Sequence, residues 1–129
     1  MADAYDGLVT TGAIASLKRD IILEASYDVY YLAHIRRWFA ETAGAEAAKA
    51  ATACTVRVVG ELTAKNLCIL ATWGKEKGSF EVVEKTREEL YGLVDKYSAF
   101  DTFPFDFFLI ATESGLQWTS RYKLLVGEL

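Results

Sequence analysis

From Ser16 onward, apolar residues return at three- and four-residue intervals. Leu17, Ile21 and Ile22, with Ala25 behind them, predict a short amphipathic helix with Ser16 as its cap. Ser26-Tyr27 interrupts the pattern. Asp28 is placed to cap a second helix whose stripe is Tyr31, Leu32, Ile35, Trp38 and Phe39, with Arg36, Arg37 and Glu41 facing outward, and Thr42-Ala43-Gly44 ends it. A third helix is predicted over 45–65, a segment rich in alanine and free of proline. Its inner face is Ala47, Ala51, Cys54, Val58 and Leu62, which leaves Glu46, Lys49, Thr52, Thr55 and Arg57 toward solvent. It ends at Lys65-Asn66, where asparagine can take the left-handed conformation.

After Asn66 the period shortens. LCILATW (67–73) reads as a strand, Gly74-Lys75-Glu76-Lys77-Gly78 as a charged tip, and Ser79 to Val83 as the returning strand of a hairpin. Thr86 with Glu89 three residues on matches a capping box and opens a helix to about Ser98, in which Leu90, Leu93, Val94 and Tyr97 face inward. FFLIA (107–111) is apolar on both faces, the pattern of a strand covered on one side by its own core and on the other by another element or another chain. Leu116, Trp118, Tyr122 and Leu125 predict a last helix. Residues 1–15 read as a lead-in and 16–129 as a single domain.

A chain of 129 residues with 52% hydrophobic positions and one proline has room for one core and the composition of a folded protein. Its net charge is −4, but residues 31–78 carry seven basic and four acidic side chains, so the middle of the chain is its basic part. Cys54 and Cys68 each lie in an apolar stretch and no secretion signal precedes them, which predicts buried reduced thiols and a cytoplasmic protein. No apolar run approaches the roughly 20 residues that a membrane helix requires.

Catalytic signatures are missing. His34 is the only histidine, with Tyr30 and Trp38 four residues to either side, and reads as a histidine on an aromatic face. One histidine and two cysteines outside Cys-x-x-Cys spacing make no zinc site. There is no G-x-S-x-G elbow, no phosphate-binding glycine motif, and Glu88-Glu89 falls in a first helical turn where it complements the helix dipole. The expectation is a non-enzyme with no metal and no small-molecule cofactor.

In order, the elements are helix, helix, alanine-rich helix, charged-tip hairpin, then a strand entering a helix through Thr112-Glu113-Ser114-Gly115. This order resembles winged helix-turn-helix domains over most of residues 16–125. VVGELTAKNLCILATW (58–73) resembles a recognition helix turning into the first wing strand, and FFLIATESGLQWTSRY (107–122) resembles the second wing strand and last helix. The chain departs from that pattern by a helix and aromatic loop, 86–106, inserted between the strands. The fold expected is α+β and winged-helix-like: three N-terminal helices, a small antiparallel sheet, an inserted helix and a C-terminal helix. The resemblance implies a small cytoplasmic DNA-binding or regulatory protein. Helix 45–65 would offer Lys49, Thr52, Thr55 and Arg57 to the major groove of duplex DNA, and Arg36, Arg37, Lys75 and Lys77 would contact phosphates. The alternative is a protein-interaction module of the same shape, without DNA. It would bind a partner or form a homodimer through the aromatic surface of Phe100, Phe103, Phe105 and Phe107, since aromatic residues are enriched at such contacts.

Overall fold

The computed structural model describes residues 10–42, 49–99 and 106–126. Its elements run α1 (Thr11–Ala25), β1 (Tyr30–Tyr31), α2 (Leu32–Glu41), α3 (Ala51–Ala64), β2 (Cys68–Trp73), β3 (Phe80–Val82), α4 (Arg87–Asp95), a 3-10 turn (Lys96–Ala99), β4 (Phe107–Ala111) and α5 (Glu113–Val126). The fold is α+β, with one small antiparallel sheet ordered β1-β4-β2-β3.

The hairpin forms where the two-residue period begins, with Ala71 opposite Val82 and Trp73 opposite Phe80. The capping box closes as its sequence demands: the Glu89 amide donates to Thr86 Oγ1 at 3.1 Å, and the Thr86 amide donates to Glu89 Oε1 at 2.9 Å. The last strand of the sequence occupies the middle of the sheet. β4 pairs with β2 from Cys68↔Ala111 to Thr72↔Phe107, and with β1 through Tyr30↔Leu109 and Tyr31↔Phe108.

Two helix starts differ from the sequence expectation. α1 is capped by Thr10, whose Oγ1 accepts from the Ala13 amide at 3.1 Å, so Ser16 lies within the helix and Ile14 joins the core. Tyr30-Tyr31, expected inside a helix capped by Asp28, is a strand, and α2 begins at Leu32. Pairing with β4 satisfies the backbone there, and two adjacent tyrosines suit a pleated surface.

The larger correction concerns α3. Ala51, Thr52, Cys54, Thr55, Val56, Val58, Val59 and Leu62 are all buried, so this helix is enclosed on nearly every side. α2 packs along it, and so does α4, which covers part of the face expected to meet solvent. Thr55 is fully buried, and its hydroxyl donates to the Ala51 carbonyl within its own helix at 2.7 Å, which lets a hydroxyl sit in an apolar core.

α3 ends as expected at Asn66, which adopts φ 57°. That turn is locked to the start of α5. Thr112 Oγ1 donates to the Asn66 carbonyl at 2.5 Å and accepts from the Gly115 amide at 3.0 Å, while the Thr112 amide donates to the Leu67 carbonyl at 3.1 Å. Gly115 lies so close to this turn that a Cβ would stand 2.2 Å from the Leu67 carbonyl oxygen. Around these ties the core gathers Ile21, Ile22, Leu32, Ile35, Phe39, Val58, Leu62, Leu70 and Leu109.

Candidate functional site

Alternation along a strand assigns every sheet residue to one of two faces. The registers put Cys68, Leu70, Thr72, Phe107, Leu109, Ala111 and Tyr30 on the inner face, and the helices close over that face to form the core. The outer face is Tyr31, Ile69, Ala71, Trp73, Phe80, Val82, Phe108 and Ile110. No charged side chain interrupts it.

Phe108 is the centre of this outer face and is 0% exposed. Two aromatic neighbours cover it, Trp73 with ring centroids 4.5 Å apart and Tyr31 edge-on at 5.9 Å. The Trp73 indole N–H donates to the Tyr31 hydroxyl, tying the two covers together. Desolvation and the nearby Asp28 carboxylate nevertheless raise the Tyr31 phenol above its ordinary pKa. Around this group the face remains open: Trp73 is 44% exposed, Phe80 50% and Val82 59%, with Ile69 and Ile110 half-buried. Scattered exposed apolar residues are normal on a soluble protein, whereas a contiguous apolar face marks a contact surface.

Most side chains singled out from the sequence for DNA lie elsewhere or are engaged. Thr52 and Thr55 are buried and present nothing to a groove. Arg36 is half-buried and turned inward: its Nε donates to Thr52 Oγ1 at 3.4 Å, and that hydroxyl donates to Asp95 Oδ1 at 3.2 Å, joining α2, α3 and α4. Arg57 Nε is 3.2 Å from Glu61 Oε2, and Lys18 Nζ is 2.7 Å from Glu61 Oε1. Arg37 is exposed and lies 3.4 Å from Glu41. Lys49, Lys75 and Lys77 are exposed, the first before α3 and the other two at the hairpin tip. Of the four side chains expected from helix 45–65, two, Thr52 and Thr55, are thus buried, with α4 packed against α3.

Of the aromatic residues, Phe100, Phe103 and Phe105 lie outside the described residues. Phe107 is on the inner face, packed against the core with Lys85 Nζ 5.7 Å from its ring centroid, and not on the exposed surface expected for it. A one-residue step along a strand changes the face, and the outward aromatic residue is Phe108. Nearby, Asp106 is taken up by Tyr97, whose hydroxyl donates to it at 2.7 Å, and by the Phe107 amide at 2.8 Å. Burial and that acidic neighbour push the Tyr97 phenol far up, so this cleft between α4 and β4 is a structural knot.

Sequence reasoning missed Tyr31, Ile69, Trp73, Phe80 and Val82 as one surface. The signal lay in LCILATW, which is as two-sided in its apolar character as FFLIA. His34 is exposed at the edge of the sheet, its ring 5.8 Å from Tyr30 and 6.1 Å from Tyr31. Cys54 and Cys68 are buried thiols, as expected. Among the described residues, no cluster of three or more histidine, cysteine, aspartate or glutamate side chains is placed to hold a metal, and no helix is long and apolar enough to cross a membrane. Comparison with protein-family models, curated proteins and solved structures found no match.

Proposed function

We propose that the chain is a protein-interaction module of winged-helix shape that binds another protein through the outer face of its sheet, without DNA. The observation that carries this reading is the exposure of Trp73, Phe80 and Val82 on the same face as Phe108, which Trp73 and Tyr31 roof. Exposed apolar area of this kind gives up its water favourably, at about 25 cal/mol per Å². Aromatic anchors of low side-chain entropy are the residues that dominate protein contacts. The order of helices, hairpin, strand and last helix supports the winged-helix shape, with β1 and α4 as additions to it.

Support for DNA is thinner. The exposed Lys49, Lys75 and Lys77 favour it, but burial withdraws Thr52 and Thr55 from base reading, and Arg36 and Arg57 are engaged within the fold. The test is photo-crosslinking in living cells from p-benzoylphenylalanine placed at Phe80, with Tyr91 on α4, 47% exposed, as the control position. Protein adducts from position 80 and none from position 91 are expected. An absence of adducts from position 80 sinks the reading, and salt-sensitive binding to duplex DNA would then return the function to the lysines.

A further inference from the structure

The hairpin register fixes where each backbone group of β3 points. The Gly74 amide donates to the Ser79 carbonyl at 2.9 Å and the Val83 amide to the Leu70 carbonyl at 3.0 Å, so the residues bonded to β2 are Ser79, Glu81 and Val83. Phe80 and Val82, opposite Trp73 and Ala71, are the alternate pairs, and their N–H and C=O groups point the other way, out of the edge of the sheet. Among the described residues no strand lies on that side, since β3 ends the order β1-β4-β2-β3. Phe80 and Val82 are also the most exposed side chains of the outer face. Outward donors, outward acceptors and uncovered apolar side chains thus coincide at the same residues.

We infer that the edge of β3 receives an extended segment of another protein as an added antiparallel strand, with apolar residues opposite Phe80 and Val82 and a basic residue opposite Glu81. This rests on the outer face being an interaction surface and specifies the form of what binds there. An extended chain matches donors and acceptors at this spacing, its main-chain bonds carrying affinity and its alternate side chains selectivity. Antiparallel pairing continues the pattern of every neighbouring pair in this sheet. Directly opposed residues share a face, so the residue opposite Val82 prolongs the row Tyr31, Phe108, Ala71, Val82 that crosses the outer face. Glu81 is exposed on the other face, where it attracts a lysine or arginine set opposite and repels a carboxylate. Lys77 and Lys85 lie four residues to either side, outside β3, so Glu81 alone opposes the middle of the segment. The same carboxylate disfavours a second copy of the chain. The one antiparallel register that uses Phe80 and Val82 of both copies sets Glu81 directly against Glu81. β3 has only three residues, so the added segment is held by few bonds and exchanges readily.

A heteronuclear NMR titration of the isotope-labelled full chain tests it, with a capped hexapeptide alternating valine and lysine against one alternating valine and glutamate. The lysine peptide should bind with a Kd of about 1 mM, move the Phe80 and Val82 amide resonances downfield and slow their exchange with solvent. The glutamate peptide should bind at least about threefold more weakly. Val82→Pro keeps the bonds to β2 and removes one outward N–H, so it should weaken binding at least about tenfold, whereas Val82→Thr, which retains that N–H, should stay within about threefold. Glu81→Lys should reverse the order of the two peptides. Unchanged amide resonances in β4 verify that each variant is folded; if Val82→Pro unfolds, Glu81→Lys, at an exposed position, decides alone. An absence of shifts at Phe80 and Val82 with either peptide up to about 10 mM overturns the proposal, as does binding by a folded Val82→Pro as tight as wild type, or a peptide order that Glu81→Lys leaves unchanged. Protein crosslinks from position 80 that persist in folded Val82→Pro overturn the added strand and leave the interaction surface standing. Failure of both experiments removes both.

Discussion

At Gly115 the fold tolerates no side chain, because α5 begins directly against the Leu67 carbonyl and a Cβ would stand 2.2 Å from its oxygen. Backbone cannot yield as a flexible side chain can, so Gly115→Ala should cost about 2–3 kcal/mol, read as a lower urea midpoint at unchanged slope. Thr52 bears a different kind of constraint, since its hydroxyl bridges Arg36 to Asp95. Thr52→Val should cost about 1–2 kcal/mol by removing both of these hydrogen bonds. Thr55→Val should cost less than about 1 kcal/mol, because its hydroxyl only duplicates a bond to a carbonyl within its own helix. Burial pushes the Cys68 thiol up to about 12. At pH 8 almost no thiolate exists at this site in the native protein, so reaction with a disulfide reagent should be at least about 100-fold slower than in denaturant. Equal rates in the two conditions would mean that the pocket around Cys68 opens freely.

Elements stand or fall with their termini. The α4 capping box predicts that Thr86→Ala costs about 1 kcal/mol in a thermal or urea melt. The Glu89 carboxyl is held below its ordinary pKa, first by the Thr86 amide and then by the Thr86 hydroxyl. A carboxyl whose folded pKa is depressed stabilises the fold above its unfolded pKa and loses that contribution as pH falls through the folded value. The destabilisation caused by Glu89→Gln should therefore be present at pH 7 and vanish toward pH 3. The box was legible because a cap is a local agreement between Thr86 and Glu89. The hairpin was legible for a similar reason, its strands being neighbours in sequence. β1 was not, because Tyr30 and Tyr31 fit a helical stripe equally well and only pairing with β4, far along the chain, decides between the two. The solvent face assigned to α3 failed for the same cause: local periodicity identifies the apolar side, but α4 arrives from elsewhere and covers Thr52 and Thr55. The candidate site was half visible, as an aromatic excess near residue 107. Its true face became definite only when the register turned Phe107 inward and Phe108 outward.

For the whole molecule, the sheet order makes stability collective. Leu109 is fully buried in the central strand, and Leu109→Ala should cost about 2–5 kcal/mol in a single cooperative transition. An early partial transition would show the β2–β3 hairpin surviving by itself. A chain ended at Ala99 retains α1 to α4 but lacks the strand that joins β1 to β2. It should show no near-ultraviolet dichroism of fixed aromatic side chains, because an isolated hairpin is marginal in water. The same order governs synthesis. A growing polypeptide exposes β1 and β2 as unpaired edges until residues 107–111 leave the ribosome, so interrupted translation yields a fragment open to proteases and to aggregation, with no smaller native form to shelter in.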